Sequence, residues 1–145
     1  MADPVKRPWD GVLLVALIAY GVASLLHFTH NAVFIDDYPN LPPSLTSTRV
    51  ILVWLAEAAL GVFGYVFLHR GLPAAGFSMI AVYALLGFDG FAHYSRAPMA
   101  DHTAMMNVTI WAEALAAAAL LAVLLLRTHR NRRLQADVRA GSARL

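Results

Sequence analysis

The chain has no cysteine among its 145 residues, which excludes a disulfide framework, a thiol redox pair, a thiolate metal site and covalently attached haem. Any metal would need His, carboxylate or Met ligands. Charge is scarce as well: 14% of residues are Asp, Glu, Lys or Arg, against 59% hydrophobic, and mean hydropathy is +0.60. An average soluble domain is about 25% charged, so water is not the main solvent of this protein. Long polar stretches are also missing, which leaves little room for a soluble domain.

Four apolar stretches are present instead, at about 11–34, 50–68, 72–94 and 104–126, each close to the ~20 residues a helix needs to cross the hydrocarbon core. They predict an all-α integral membrane protein, a four-transmembrane-helix bundle over residues 1–128, with 129–145 as a basic tail. The first stretch runs into a polar segment without a small-residue cleavage pattern, so it is expected to be a retained helix and not a cleaved signal.

Charge placement predicts the topology. Lys6 and Arg7 precede the first helix, Arg70 lies between the second and third, and Arg127, Arg130, Arg132, Arg133, Arg139 and Arg144 follow the fourth. The other two connections hold only Arg49 and Arg96. The positive-inside rule therefore puts both termini in the cytoplasm of an inner (plasma) membrane protein. The same rule accounts for the pI of about 9.3 without nucleic acid, so membrane lipids and not nucleic acid are the expected contacts of the basic tail.

His69–Pro73 reads as a tight turn, with Gly71 at a helix C-cap and Pro73 in the next first turn. The loop after helix 1 is stiffened by Pro39, Pro42 and Pro43, with Ser44, Ser47 or Thr48 as candidate caps for helix 2. In the second long loop Asp101 is the candidate cap of helix 4. The two halves also resemble each other: Trp54-Leu55-Ala56-Glu57 aligns with Trp111-Ala112-Glu113 after a one-residue gap. This pattern suggests two tandem helical hairpins with pseudo-twofold symmetry.

The chemistry lies in ionisable groups that hydrocarbon penalises by at least about 2.5–3.5 kcal/mol each. Helix 1 carries His27 and His30, spaced i,i+3 and expected on one face beside Asn31. Helix 3 carries Asp89 and His93 at i,i+4. Helices 2 and 4 carry Glu57 and Glu113, each about 15 Å below the outer end at 1.5 Å per residue. If these faces point inward, three His, two Glu and one Asp form one buried cluster beneath the outer loops, with His102 and Asp101 above it.

That inventory suits a transition metal, Fe, Cu or Zn, with His27, His30, His93 and His102 as ligands and Glu57, Glu113 or Asp89 as ligand or proton acceptor. Met99, Met105 and Met106 near His102 would favour copper. The leading expectation is a metal-dependent membrane enzyme, an oxidoreductase or hydrolase, acting on a hydrophobic or amphipathic small molecule. One alternative is a b-type haem subunit with an axial His pair from helices 1 and 3. Another is a proton or metal transport or accessory subunit, which four narrow helices could serve only as a homo-oligomer or within a larger membrane complex.

Overall fold

A computed structural model describes residues 8–142; Lys6, Arg7 and Arg144 lie outside them. The described chain is helical, with no strand: α1 (Pro8–Val33), α2 (Ser47–His69), α3 (Pro73–Leu86), α4 (Ala92–Arg96) and α5 (Ala104–Ser142). Single 3-10 turns at Ile35–Asp37, Asp89–Phe91 and Met99–Asp101 punctuate the connections. Four segments are long and apolar enough to cross a membrane: Gly11–Val33, Ser47–His69, Pro73–Arg96 and Ala104–Arg133. The four-helix bundle expected from hydropathy is therefore the fold.

Its surface is inverted relative to a soluble bundle. Val15, Val33, Leu115 and Leu125 are each about two-thirds exposed, while His27, Ser24 and Glu113 are buried. Lipid offers no hydrophobic drive for helix association, so such helices rely on close packing of small residues and on interhelical polar contacts. Both occur here. α2 packs on α3 and α1 on α5 more extensively than any other pair. Gly64 and Gly76 let α2 and α3 approach: a Cβ on Gly76 would lie 2.7 Å from the Gly64 carbonyl oxygen.

The half of the bundle nearer the C-terminal tail is filled by Leu13, Tyr20, Ile80, Tyr83, Ala84, Ala117, Leu120 and Leu124. The Tyr20 hydroxyl donates to the Tyr83 backbone carbonyl at 3.0 Å, which satisfies the phenol and ties α1 to α3. This plug leaves the polar side chains in the half nearer the two long loops.

Local chemistry departs from expectation at several termini. Gly71 takes the left-handed conformation (φ 77°) and Pro73 opens α3, as the sequence predicts. The N-cap of α2 is Thr46, not Ser44, Ser47 or Thr48; its side chain accepts from the Arg49 N–H at 3.3 Å. Thr103, not Asp101, caps α5, accepting from the Met106 N–H at 3.2 Å; Asp101 is held in the preceding 3-10 turn. α5 also continues without a break at 128, through the basic segment to Ser142, and the Arg127 guanidinium sits over the Phe77 ring.

The third span is interrupted. α3 stops at Leu86, and the Phe91 N–H bonds the Phe88 carbonyl at 3.1 Å, three residues back. Gly87 packs so closely that an added Cβ would stand 2.6 Å from Tyr20 and 2.7 Å from Ala117. Asp89 and His93 are thus not on one continuous α-helical face, as their spacing suggested. Asp89 belongs to the 3-10 turn and His93 to α4.

Candidate functional site

His27 is the centre of the buried polar group. It projects from α1 into the bundle at 1% exposure, opposite Thr109 and Glu113, which share one face of α5 at i,i+4. The Thr109 hydroxyl donates to the Met106 carbonyl at 3.0 Å, a back-bond common for Thr in helices. Its oxygen is then an acceptor, so His27 Nδ1, 3.3 Å away, carries the proton and donates. That fixes Nε2 as the lone-pair nitrogen.

The Asn31 amide nitrogen stands 3.1 Å from His27 Nε2 and 3.4 Å from His93 Nε2. One amide thus donates to two imidazoles and couples α1 to α4. Glu113 completes the group: its Oε2 lies 3.7 Å from His27 Nε2, with both side chains buried. That separation is too long for a hydrogen bond, and it is an ion pair only when His27 is protonated. Neither Glu113 oxygen has a hydrogen-bond partner in the protein, and the Ser24 hydroxyl lies beside it but outside bonding geometry.

A cavity of about 150 Å³ opens beside this group, lined by His27, Asn31, Asp89 and His93 and covered by Leu41 and Leu45 of the proline-rich loop. That is room for several waters or for the small polar end of a larger molecule. Gly90 packs against His27, where an added Cβ would stand 3.4 Å from Nε2. The Asn31 amide lies between the two Nε2 atoms, the place that an iron would take if His27 and His93 were its axial ligands.

The remaining candidates separate. His30 does not share the inward face of His27; its Nδ1 pairs with the Tyr38 hydroxyl at 2.9 Å, since i,i+3 places it about 60° around the helix. Tyr38 also lies over the His93 ring, centres 4.8 Å apart, and its burial pushes the phenol pKa up. Glu57 is buried on α2 with Oε2 unpaired. Asp89 is exposed at the cavity rim, not buried with the others. Trp111 is also exposed and packs on Phe91, while Trp54 is half-buried with an unpaired indole N–H.

His102 is buried above His93, ring centres 6.2 Å apart. Its Nδ1 donates to the Pro98 carbonyl at 3.0 Å, and its Nε2 has no partner. Among the described residues, no three His or carboxylate groups are placed to hold one metal ion; the imidazoles form a row. Thr109, Tyr38 and Ser24 were not identified from sequence. The i,i+4 spacing of Thr109 and Glu113 was a usable signal, whereas nothing local marked Tyr38 or Ser24.

Comparison with family models, curated proteins and solved structures yields no match for this chain, so the site is read from its own geometry.

Proposed function

We propose that the protein is a membrane-embedded acid–base enzyme that takes the small polar end of a hydrophobic or amphipathic substrate into the cavity beside His27. The observation that carries this reading is the buried His27–Glu113 pair, 3.7 Å apart, whose imidazole lines the cavity. An ionised carboxylate without a donor costs several kcal/mol in such surroundings. Glu113 therefore holds its proton as the neutral acid, and His27 beside it exchanges a proton with the substrate at Nε2. Asp89, at the rim, is the second proton acceptor.

Thr109 and Asn31 hold the His27 ring with Nε2 as its lone-pair nitrogen, the state that a proton acceptor needs. Apolar walls suit the substrate: Ile35, Val50 and Val53 line the cavity opposite the polar groups. A separate groove of about 800 Å³ along α1 and α5 includes Thr109, the residue that holds His27, in its lining. With the loop end outward, as the charges direct, the cavity opens to the outer side. Transmembrane proton conduction is less well supported, because the Tyr20–Tyr83 layer and the leucines beneath it close the path inward.

Mass spectrometry of lipid-soluble metabolites from cells producing the wild type, Glu113→Gln or His27→Gln tests this. A species consumed or formed only with the wild type supports the enzyme. Identical profiles in all three would refute it.

A further inference from the structure

The groove of about 800 Å³ between α1 and α5 is sorted by polarity along its length. Met106 and Thr109 are its buried residues, and Ala19, Ala23 and Ala112 contribute one methyl group each. Val22, Leu26, Met105 and Val108 stand beside them, each more than half exposed, so the groove faces lipid and not the bundle interior. Apart from Thr109, its polar residues lie at the loop end: His30, Asp37 and Thr103. From His30 to Ala19 is about 17 Å along α1, and from Thr103 to Ala112 about 14 Å along α5, close to the ~15 Å of hydrocarbon in one leaflet.

The loop end carries charge of one sign. Asp37 closes a 3-10 turn, its N–H bonded to the Phe34 carbonyl at 3.0 Å, and the next residue, Tyr38, is fixed to His30 at 2.9 Å. The Asp37 side chain is exposed, and no Lys or Arg lines the groove. The Thr103 hydroxyl oxygen accepts from the Met106 N–H at 3.2 Å and keeps a second lone pair. A carboxylate and a hydroxyl at the level of the lipid headgroups suit a cation that also donates hydrogen bonds. A primary ammonium does both, whereas a quaternary one has no N–H. A second copy of the chain fits less well, because an isologous dimer on this groove would bring two Asp37 carboxylates to one interface.

We infer that the groove between α1 and α5 holds one phospholipid with a primary ammonium head, the head at Asp37 and Thr103 and an acyl chain along Ala19, Ala23 and Ala112. This site goes beyond the acid–base reading and does not depend on it. Glu113→Gln should abolish conversion of substrate and leave the lipid in place.

The test is native mass spectrometry of the full-length protein released from nanodiscs of equal parts phosphatidylethanolamine, phosphatidylcholine and phosphatidylglycerol with the same acyl chains. One retained phosphatidylethanolamine per chain is expected. Its preference over the other two lipids should fall about three- to fivefold in Asp37→Asn and stay unchanged in Asp36→Asn, outside the groove. Ala112→Leu, which fills the groove, should lose the retained lipid, and Ala119→Leu, outside it, should keep it. Both alanines are exposed, circular dichroism checks that each variant is folded, and the wild-type spectrum needs no variant at all. No retained lipid, equal retention of the three lipids, an unchanged preference in Asp37→Asn, or a lipid-free dimer would each overturn the assignment.

Discussion

Asn31 holds His27 and His93 through a single amide nitrogen, 3.1 Å from one Nε2 and 3.4 Å from the other. Removing it strands two buried acceptors in the half of the bundle that has no apolar plug. Asn31→Leu is therefore expected to destabilise the protein by about 1–3 kcal/mol. Unfolding in mixed micelles, compared with the surface change Asn40→Leu, checks it; equal stability of Asn31→Leu and wild type would mean the amide bridge is not formed.

Tyr38 closes the long loop onto the site through its hydroxyl on His30 and its ring over His93. Tyr38→Phe keeps the ring and should cost about 0.5–1.5 kcal/mol, with Tyr38→Ala costing more. The phenol pKa is raised by burial, so the folded state holds the proton more tightly than the unfolded one. That contribution is complete below the ordinary phenol value of about 10 and is lost as pH rises beyond it. Proteolysis of the loop should accelerate above about pH 10 in the wild type, and Tyr38→Phe should lack that component.

Gly76 touches the Gly64 carbonyl and the Leu68 side chain, both within 2.8 Å of an added Cβ. Gly76→Leu is expected to force α2 and α3 apart and destabilise by about 1–3 kcal/mol or more. Cysteine crosslinking between the helices, weakened in this variant, reads the separation directly. An unaltered crosslinking rate would mean the helices do not approach as described.

Thr46 supplies the side-chain cap of α2. Thr46→Ala should cost about 1 kcal/mol, and Ser44→Ala less than half of that. Thermal unfolding of the two variants ranks them, and the reverse order would reassign the cap.

Much of this architecture was readable from the chain, because spanning helices follow from length and hydropathy alone. His27 and Glu113 stood out for the same reason: charge-bearing groups are expensive in hydrocarbon and so mark themselves. The arrangement around them was less visible. The break at Leu86–Phe91 depends on Gly87 nestling against Tyr20 and Ala117, a tertiary contact that helix periodicity does not encode. Without that break, Asp89 and His93 share a helical face; with it, one is at the rim and the other inside. The role of Tyr38 arises from how a proline-rich loop folds back, and loop conformation leaves little trace in hydropathy. The caps at Thr46 and Thr103 were misplaced by one to two residues, the usual uncertainty of a helix boundary.

On the proposed reading, the Glu113 carboxyl sets the proton affinity of His27 Nε2, 3.7 Å away. The most direct measurement is nitrogen-15 NMR of imidazole-labelled protein in bilayers, following the His27 ring across pH in the wild type, Glu113→Gln and Glu57→Gln. The Nδ1-protonated form fixed by Thr109 should be seen in the wild type, with a titration altered by Glu113→Gln and little changed by Glu57→Gln. A His27 signal indifferent to the loss of the Glu113 carboxylate would contradict the account.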